Sequence, residues 1–301
     1  MRSIRSSGHR HIIKLLATFE HRGRYSMILP LAEENLRQFW AHSKPSSISA
    51  HWYFEQIAGI ATALSYIHND LVTPDSRPVS GFHMDLKPEN ILIGKDGLAA
   101  RSTWKISDFG CSHMKPRESS LELPPHPGLG TYEPPECQLD LPQSQAYDIW
   151  SLGCILLECV VWLMNGSGAI EAFAEDRLKD VELSGNIFKD DYFFTLEFNG
   201  SLKPFRAITR PAVIKRIQDL NSDPNCSEAI FELLYLIRDG LLQVDQSRRL
   251  KANYLSHRLE LIHNTAKRLL EPDPQSISHS TSDAQVTEIK DRTRNGNDLG
   301  L

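Results

Sequence analysis

The chain has 301 residues with 41% hydrophobic, 24% charged and 8% aromatic content, a profile that fits a folded globular protein and excludes collagen-like, low-complexity and wholly disordered chains. Its 33 basic and 38 acidic residues leave a formal charge of −5, so no polycationic surface favours nonspecific binding to nucleic acid or to an anionic membrane. Five cysteines (Cys111, Cys137, Cys154, Cys159 and Cys226) form no C-x-x-C pair and leave one unpaired in any disulfide scheme. That pattern points to a reducing compartment, cytoplasmic or nuclear.

Residues 1–8 are rich in Arg and Ser and contain no apolar segment, so neither a secretory signal nor a membrane anchor is expected there. Residues 15–19 and 25–31 are short apolar stretches around a polar turn at 20–24, the pattern of two strands. Between 48 and 68, Tyr53, Ile57, Ile60, Leu64 and Ile67 recur at three- and four-residue steps, which predicts a long helix with one apolar face. Residues 91–93 and 104–106 flank the turn signal Gly94-Lys95-Asp96-Gly97 and predict a small hairpin.

The longest apolar run, residues 149–164, is shorter than the roughly 20 residues a bilayer crossing needs and contains Glu158. It reads as a buried helix of a soluble domain. Residues 165–225 read as loop-rich with helical pieces, and residues 230–242 carry a further apolar helical face. Beyond about residue 270, Pro, Ser, Thr, Asp and Asn replace large apolar residues, so a disordered tail is expected. A few strands followed by many helices make an α+β chain.

The chemistry concentrates in His83-Met84-Asp85-Leu86-Lys87-Pro88-Glu89-Asn90 and in Ser107-Asp108-Phe109-Gly110. Phosphoryl transfer from a nucleotide needs a carboxylate for the attacking hydroxyl, a cation near the transferring group and hard oxygen ligands for magnesium. Asp85 suits the first role, Lys87 the second, and Asn90 and Asp108 the third. Gly110 frees the backbone for the turn that aims Asp108.

These segments resemble the eukaryotic protein kinase family: the first matches H-R-D-x-x-x-x-N and the second D-F-G. Thr131-Tyr132-Glu133-Pro134-Pro135-Glu136 is similar to the A-P-E end of an activation segment. Tyr147-Asp148-Ile149-Trp150-Ser151-Leu152-Gly153 resembles the start of the family's central helix, and Arg249 stands at the spacing of its late arginine. The resemblance implies a kinase-like α+β fold with a mainly helical large lobe and a partial small-lobe sheet. It assigns 1–32 to a small-lobe remnant with the end of a regulatory helix, 33–269 to the large lobe, and 270–301 to the tail. It further implies ATP and Mg2+ as cofactors, a protein substrate, His83 and Phe109 as structural residues, and a buried Arg249–Glu136 ion pair. Residues 9–15 resemble the stretch after the regulatory helix, with Leu29 at the gatekeeper position and main-chain groups of Leu31 and Ala32 facing adenine. A metal reading of His9 and His11 lacks a nearby carboxylate or cysteine to complete it.

Several departures carry their own expectations. The Gly-rich loop, the V-A-I-K lysine and the helix glutamate do not occur in this sequence, which suggests a shortened kinase with weak Mg-ATP binding and turnover below the family's roughly 1–100 s⁻¹. The competing reading is a noncatalytic pseudokinase or scaffold. Met84 replaces the arginine that in related kinases reads an activation-segment phosphate, so phosphorylation at Ser112, Ser119 or Ser120 is expected to matter little. Leu129 takes the usual threonine place, which leaves the role of Thr131 open. Lys87-Pro88-Glu89-Asn90 resembles the Ser/Thr branch, whereas small-molecule phosphotransferases lack the later motifs. Residues 189–194 and 203–220 read as a solvated helical insertion, with a partner surface as the alternative.

Overall fold

The structure is a computed structural model that describes residues 8–268, except 74, 96–100, 129, 185–189 and 201–205. The expectations for residues 1–7, the hairpin turn at 96–97, Leu129, Lys189, Lys203 and the tail from 270 lie outside these residues.

The first strands, β1 (Ala17–His21) and β2 (Arg24–Ile28), pair antiparallel. Their connection is tighter than the five-residue turn expected, because Arg22 (φ 50°) and Gly23 (φ 73°) both take the left-handed conformation of a two-residue hairpin turn. The apolar stretch 25–31 accordingly leaves the sheet after Ile28. A parallel bridge from Ile12 to Ile106 anchors the preceding segment.

Strand β3 (Glu34–Asn35) runs directly into α1 (Leu36–His42). Asn35 and Gln38 form a reciprocal capping box there, each side chain accepting from the other's main-chain N–H. Helix α2 (Ala50–Asn69) matches the expected amphipathic helix; Ser49 caps it, and Tyr53, Ile57, Ile60, Leu64 and Ile67 are all buried. Next come β4 (Leu71–Val72), β5 (Pro78–Phe82), β6 (Ile91–Gly94), β7 (Thr103–Ile106) and β8 (His113–Pro116). They form two three-stranded antiparallel sheets, ordered β3-β6-β7 and β4-β5-β8. The expected hairpin is β6–β7.

Helix α3 (Ala146–Asn165) is the expected buried helix. It is long and apolar enough to cross a membrane by composition, but 89% of its apolar window is buried inside the protein. A cluster of large rings packs on it: Tyr53 stacks on Trp162 at 5.4 Å, Trp40 Nε1 donates to Tyr53 Oη at 3.0 Å, and Trp162 Nε1 donates to the Trp40 carbonyl at 2.9 Å. The buried N–H groups of both indoles thereby keep partners.

The loop-rich reading of 165–225 is corrected. This segment holds α4 (Gly168–Ser184), a hairpin of β9 (Phe194–Glu197) and β10 (Arg206–Thr209), and α5 (Pro211–Asn221). Nor are the described residues 190–194 a solvated stretch throughout, since Phe193 and Phe194 are fully buried. The neighbouring acids that made the stretch look solvated are spent internally: Asp190 pairs with buried Arg210 at 2.7 Å and Asp191 with buried Arg177 at 3.5 Å. Arg177 lies between Phe173 and Phe193, its guanidinium carbon 4.3 and 4.2 Å from the two ring centres, a desolvated cation–π arrangement. Helix α5 is helical as expected but not simply solvated: Val213, Ile217 and Leu220 face inward, and Asp180 of α4 accepts from the Ala212 N–H at 2.7 Å. The apolar face at 230–242 is split between α6 (Glu228–Leu236) and a π-helical turn over Ile237–Leu241 that carries Leu241 against Gly153 of α3. Helix α7 (Ala252–Arg268) completes the described chain by packing on α2.

Candidate active site

The loop between β5 and β6 brings the expected residues together. Lys87 Nζ donates to both carboxylate oxygens of Asp85, at 3.0 and 2.9 Å. Asn90 Nδ2 donates to the Asp85 carbonyl at 2.8 Å and to Asp85 Oδ2 at 2.9 Å. No described residue donates to Asn90 Oδ1, which stays available as a hard ligand. Burial works against the Lys87 ammonium, but its hydrogen bond and attraction to Asp85, with Glu89 and Asp108 further off, raise its pKa above the usual lysine value.

Asp108 is joined to this loop through the residue before it. Ser107 donates both its N–H and its hydroxyl to the Asn90 carbonyl, each at 2.9 Å. Asp108 takes a left-handed φ of 57° and accepts from the Gly110 N–H at 3.2 Å. A non-glycine residue in that conformation stores strain of about 1–3 kcal/mol, a feature found at ligand sites. Phe109 meets the His83 ring edge-on at 5.0 Å.

His83 is fully buried and links the two segments. Its Nε2 lies 2.9 Å from the Ser107 carbonyl, and its Nδ1 accepts from the Asp85 N–H at 3.3 Å. A carbonyl only accepts, so the proton sits on Nε2 and the ring is neutral. Burial lowers the His83 pKa against the pull of Asp148 and the Ser107 carbonyl, consistent with that state.

Asp148, at the start of α3, is the anchor beneath. Its carboxylate accepts from the His83 N–H at 2.9 Å, the Met84 N–H at 2.8 Å and His68 Nε2 at 2.8 Å. Burial opposes its charge, yet the His68 hydrogen bond and the charges and N–H groups around it hold its pKa below the usual carboxylate value. These bonds also fix Met84 at a φ of 65°. No motif pointed to His68; its signal was the polar residue that the apolar spacing of α2 turns inward.

Glu136 and Arg249 form the expected pair, with two parallel contacts of 2.7 Å. Arg249 also donates to the carbonyls of Gln243, Ala146 and Val244 and lies over Trp150. A second network went unseen in the sequence. Tyr132 donates to buried Glu158 at 2.7 Å, and Glu158 also meets Arg177 and Arg37. Arg37 in turn reaches Tyr132 and, at 3.2 Å, Glu89 of the loop between β5 and β6. Thr131, whose role the sequence left open, donates to Asp191 at 2.5 Å.

A cavity of about 280 Å³ is lined by Ile13, Leu15, Leu29, Leu92, Asp108 and Phe109, among others. Leu29 lines it, whereas Leu31 and Ala32 are not among its lining residues and Leu31 is 96% exposed. The main-chain groups of Leu31 and Ala32 form no hydrogen bond with any described residue. His11, considered as a metal ligand, is buried with Nδ1 2.8 Å from the Trp104 carbonyl, and its ring fills the space over Gly59. It is a packed core histidine.

Residues 1–258 match the profile of the family described as protein kinase domain. Among curated relatives, homeodomain-interacting protein kinase 2 of Mesocricetus auratus is 29% identical over 157 residues, 52% of this chain and 12% of that protein. Aurora kinase of Schizosaccharomyces pombe is 33% identical over 156 residues, 51% of this chain and 38% of its own length. A probable cell division protein kinase of Encephalitozoon cuniculi is 28% identical over 161 residues, 52% of each. The chain thus spans between about an eighth and about half of the length of these relatives.

Proposed function

We propose, from the premise that this chain belongs to the protein kinase family with its α+β fold, that it transfers the γ-phosphoryl group of ATP to a serine or threonine hydroxyl of a protein substrate. The observation that carries this reading is the convergence of Lys87 and Asn90 on the Asp85 carboxylate, with Asn90 bonded to the residue before Asp108.

In the proposed reaction the substrate hydroxyl gives its proton to Asp85 as its oxygen bonds the γ-phosphorus. The bond from that phosphorus to the bridging oxygen breaks, and ADP leaves. Lys87 steadies the Asp85 carboxylate and offers its ammonium to charge developing on the transferring group. Asn90 Oδ1 and the exposed Asp108 carboxylate are hard oxygen donors and fit Mg2+, which when bound neutralises phosphate charge. Leu29 and Leu92 suit an adenine ring, and the main-chain groups of Leu31 and Ala32, two and three residues after Leu29, are left free by the described residues to bond it. The Ser/Thr assignment rests on Lys87-Pro88-Glu89-Asn90.

A noncatalytic binding role is the competing reading. What favours it is the apolar surface of the first hairpin, where Phe19, Tyr25, Met27 and Ile28 are exposed. Peptide phosphorylation by wild type and by Asp85→Asn separates the two. An enzyme loses on the order of 10²–10⁴-fold in rate without its general base, whereas a binding module shows no transfer in either form and keeps its biological effect in both.

A further inference from the structure

A second cavity, of about 350 Å³, opens between the catalytic loop and residues 111–127. Met84, Leu123, Pro124, Pro125 and Tyr147 line it, with Cys111 also on its wall; His113 and His126 are its titratable imidazoles, and none of its lining residues is Lys, Arg, Asp or Glu. Met84, Leu123 and Tyr147 belong with Phe82 to an apolar cluster of their own, apart from the main core.

The walls are built rather than loose. Asp148 holds the Met84 N–H, and Tyr147 sits in the first turn of α3. Leu123 and Gln143 exchange main-chain hydrogen bonds of 2.7 and 3.0 Å. Gln143 Nε2 is spent on the His126 carbonyl at 2.6 Å, which closes the proline-rich stretch onto this wall. Proline fixes φ in Pro124, Pro125 and Pro127. A preformed cavity in the usual ligand range of about 300–1,000 Å³ costs little ordering when it is filled. Its chemistry also selects. A phosphate or carboxylate would shed hydration with no Lys or Arg to receive it, whereas an apolar ring has little hydration to lose.

We propose that this cavity is a binding site for an uncharged, mainly apolar small molecule of one or two rings. Such an occupant touches the residue before Asp85 and the residue after Gly110, and so clamps the catalytic loop to the activation segment. The effect on phosphoryl transfer rests on the kinase reading above; binding itself does not.

The test uses the whole chain with ¹³C-methyl methionine and indole as the probe. The Met84 methyl signal is expected to shift and saturate, and excess ATP should not reverse the shift, because the nucleotide cavity is the separate one beside Met27. Leu123→Glu should weaken the interaction at least tenfold while Leu123→Met retains it, and inorganic phosphate should give no saturable shift. As a measurement free of variants, indole should slow N-phenylmaleimide labelling of exposed Cys111 severalfold. Absence of a saturable Met84 shift, equal binding by Leu123→Glu, equal response to phosphate, or unprotected Cys111 would each overturn the proposal. A site that fills in a chain without transferase activity would instead count against the kinase reading alone.

Discussion

Replacing Asp148 by Ala removes one carboxylate and strands three buried donors: the N–H groups of His83 and Met84 and Nε2 of His68. An unsatisfied buried donor costs about 1–3 kcal/mol, and breaking a buried charged network about 3–5 kcal/mol in total once the site relaxes. We expect about 4 kcal/mol of lost stability in urea unfolding. Met84, at φ 65°, is held there by one of the lost bonds, so its release of about 1–3 kcal/mol of backbone strain should move Asp85 as well. A displacement near 1 Å at a reacting group costs on the order of 100-fold in rate, to be read in single-turnover peptide phosphorylation. Asp148→Asn keeps one acceptor oxygen and should lose about half as much stability. If Asp148→Ala unfolds within about 1 kcal/mol of wild type and transfers phosphate normally, the anchoring role assigned to this carboxylate is wrong.

Arg249→Met should destabilise the fold by about 3–5 kcal/mol, because Glu136 is left buried without its two 2.7 Å contacts; a loss below about 1 kcal/mol in denaturant titration would contradict this. Stability should also depend on pH through His11, whose pKa burial brings down from its usual 6.5 to about 4. The unfolded chain then binds the extra proton, so this contribution is full above about pH 6.5 and declines by about 3 kcal/mol as pH falls toward 4. His83, lowered mainly by its own burial, acts in the same direction. His11→Asn should flatten the slope between pH 4 and 6.5, and an unchanged slope would refute the assignment.

What could be read in advance follows from how locally each feature is encoded. The periodicity of α2 and the apolar run of α3 reflect burial of one face or of the whole helix, and both appeared within a few residues of their bounds. The Asp85, Lys87 and Asn90 grouping is compact in sequence, so its chemistry was visible before its geometry. Arg249 and Glu136 were matched across the chain only through resemblance to a family. His68 met Asp148 with no such guide, since its partner lies on another helix and leaves no periodic trace. The segment after α3 misled for a physical reason: its acids looked solvated until Arg177 and Arg210, buried beside Phe193, turned out to neutralise them. The turn at Arg22 and Gly23 was overestimated because Glu20 and His21 are polar yet belong to an exposed strand.

The central claim is that Asp85, Asn90 and Asp108 serve one nucleotide site that works with a divalent cation. Nucleotide binding by wild type and by Asp108→Asn, each measured with Mg2+ and with chelator, tests it most directly. The account predicts that Mg2+ tightens ATP binding to wild type and that Asp108→Asn loses this gain while keeping the chelator-state affinity. An equal Mg2+ effect in both proteins would contradict it.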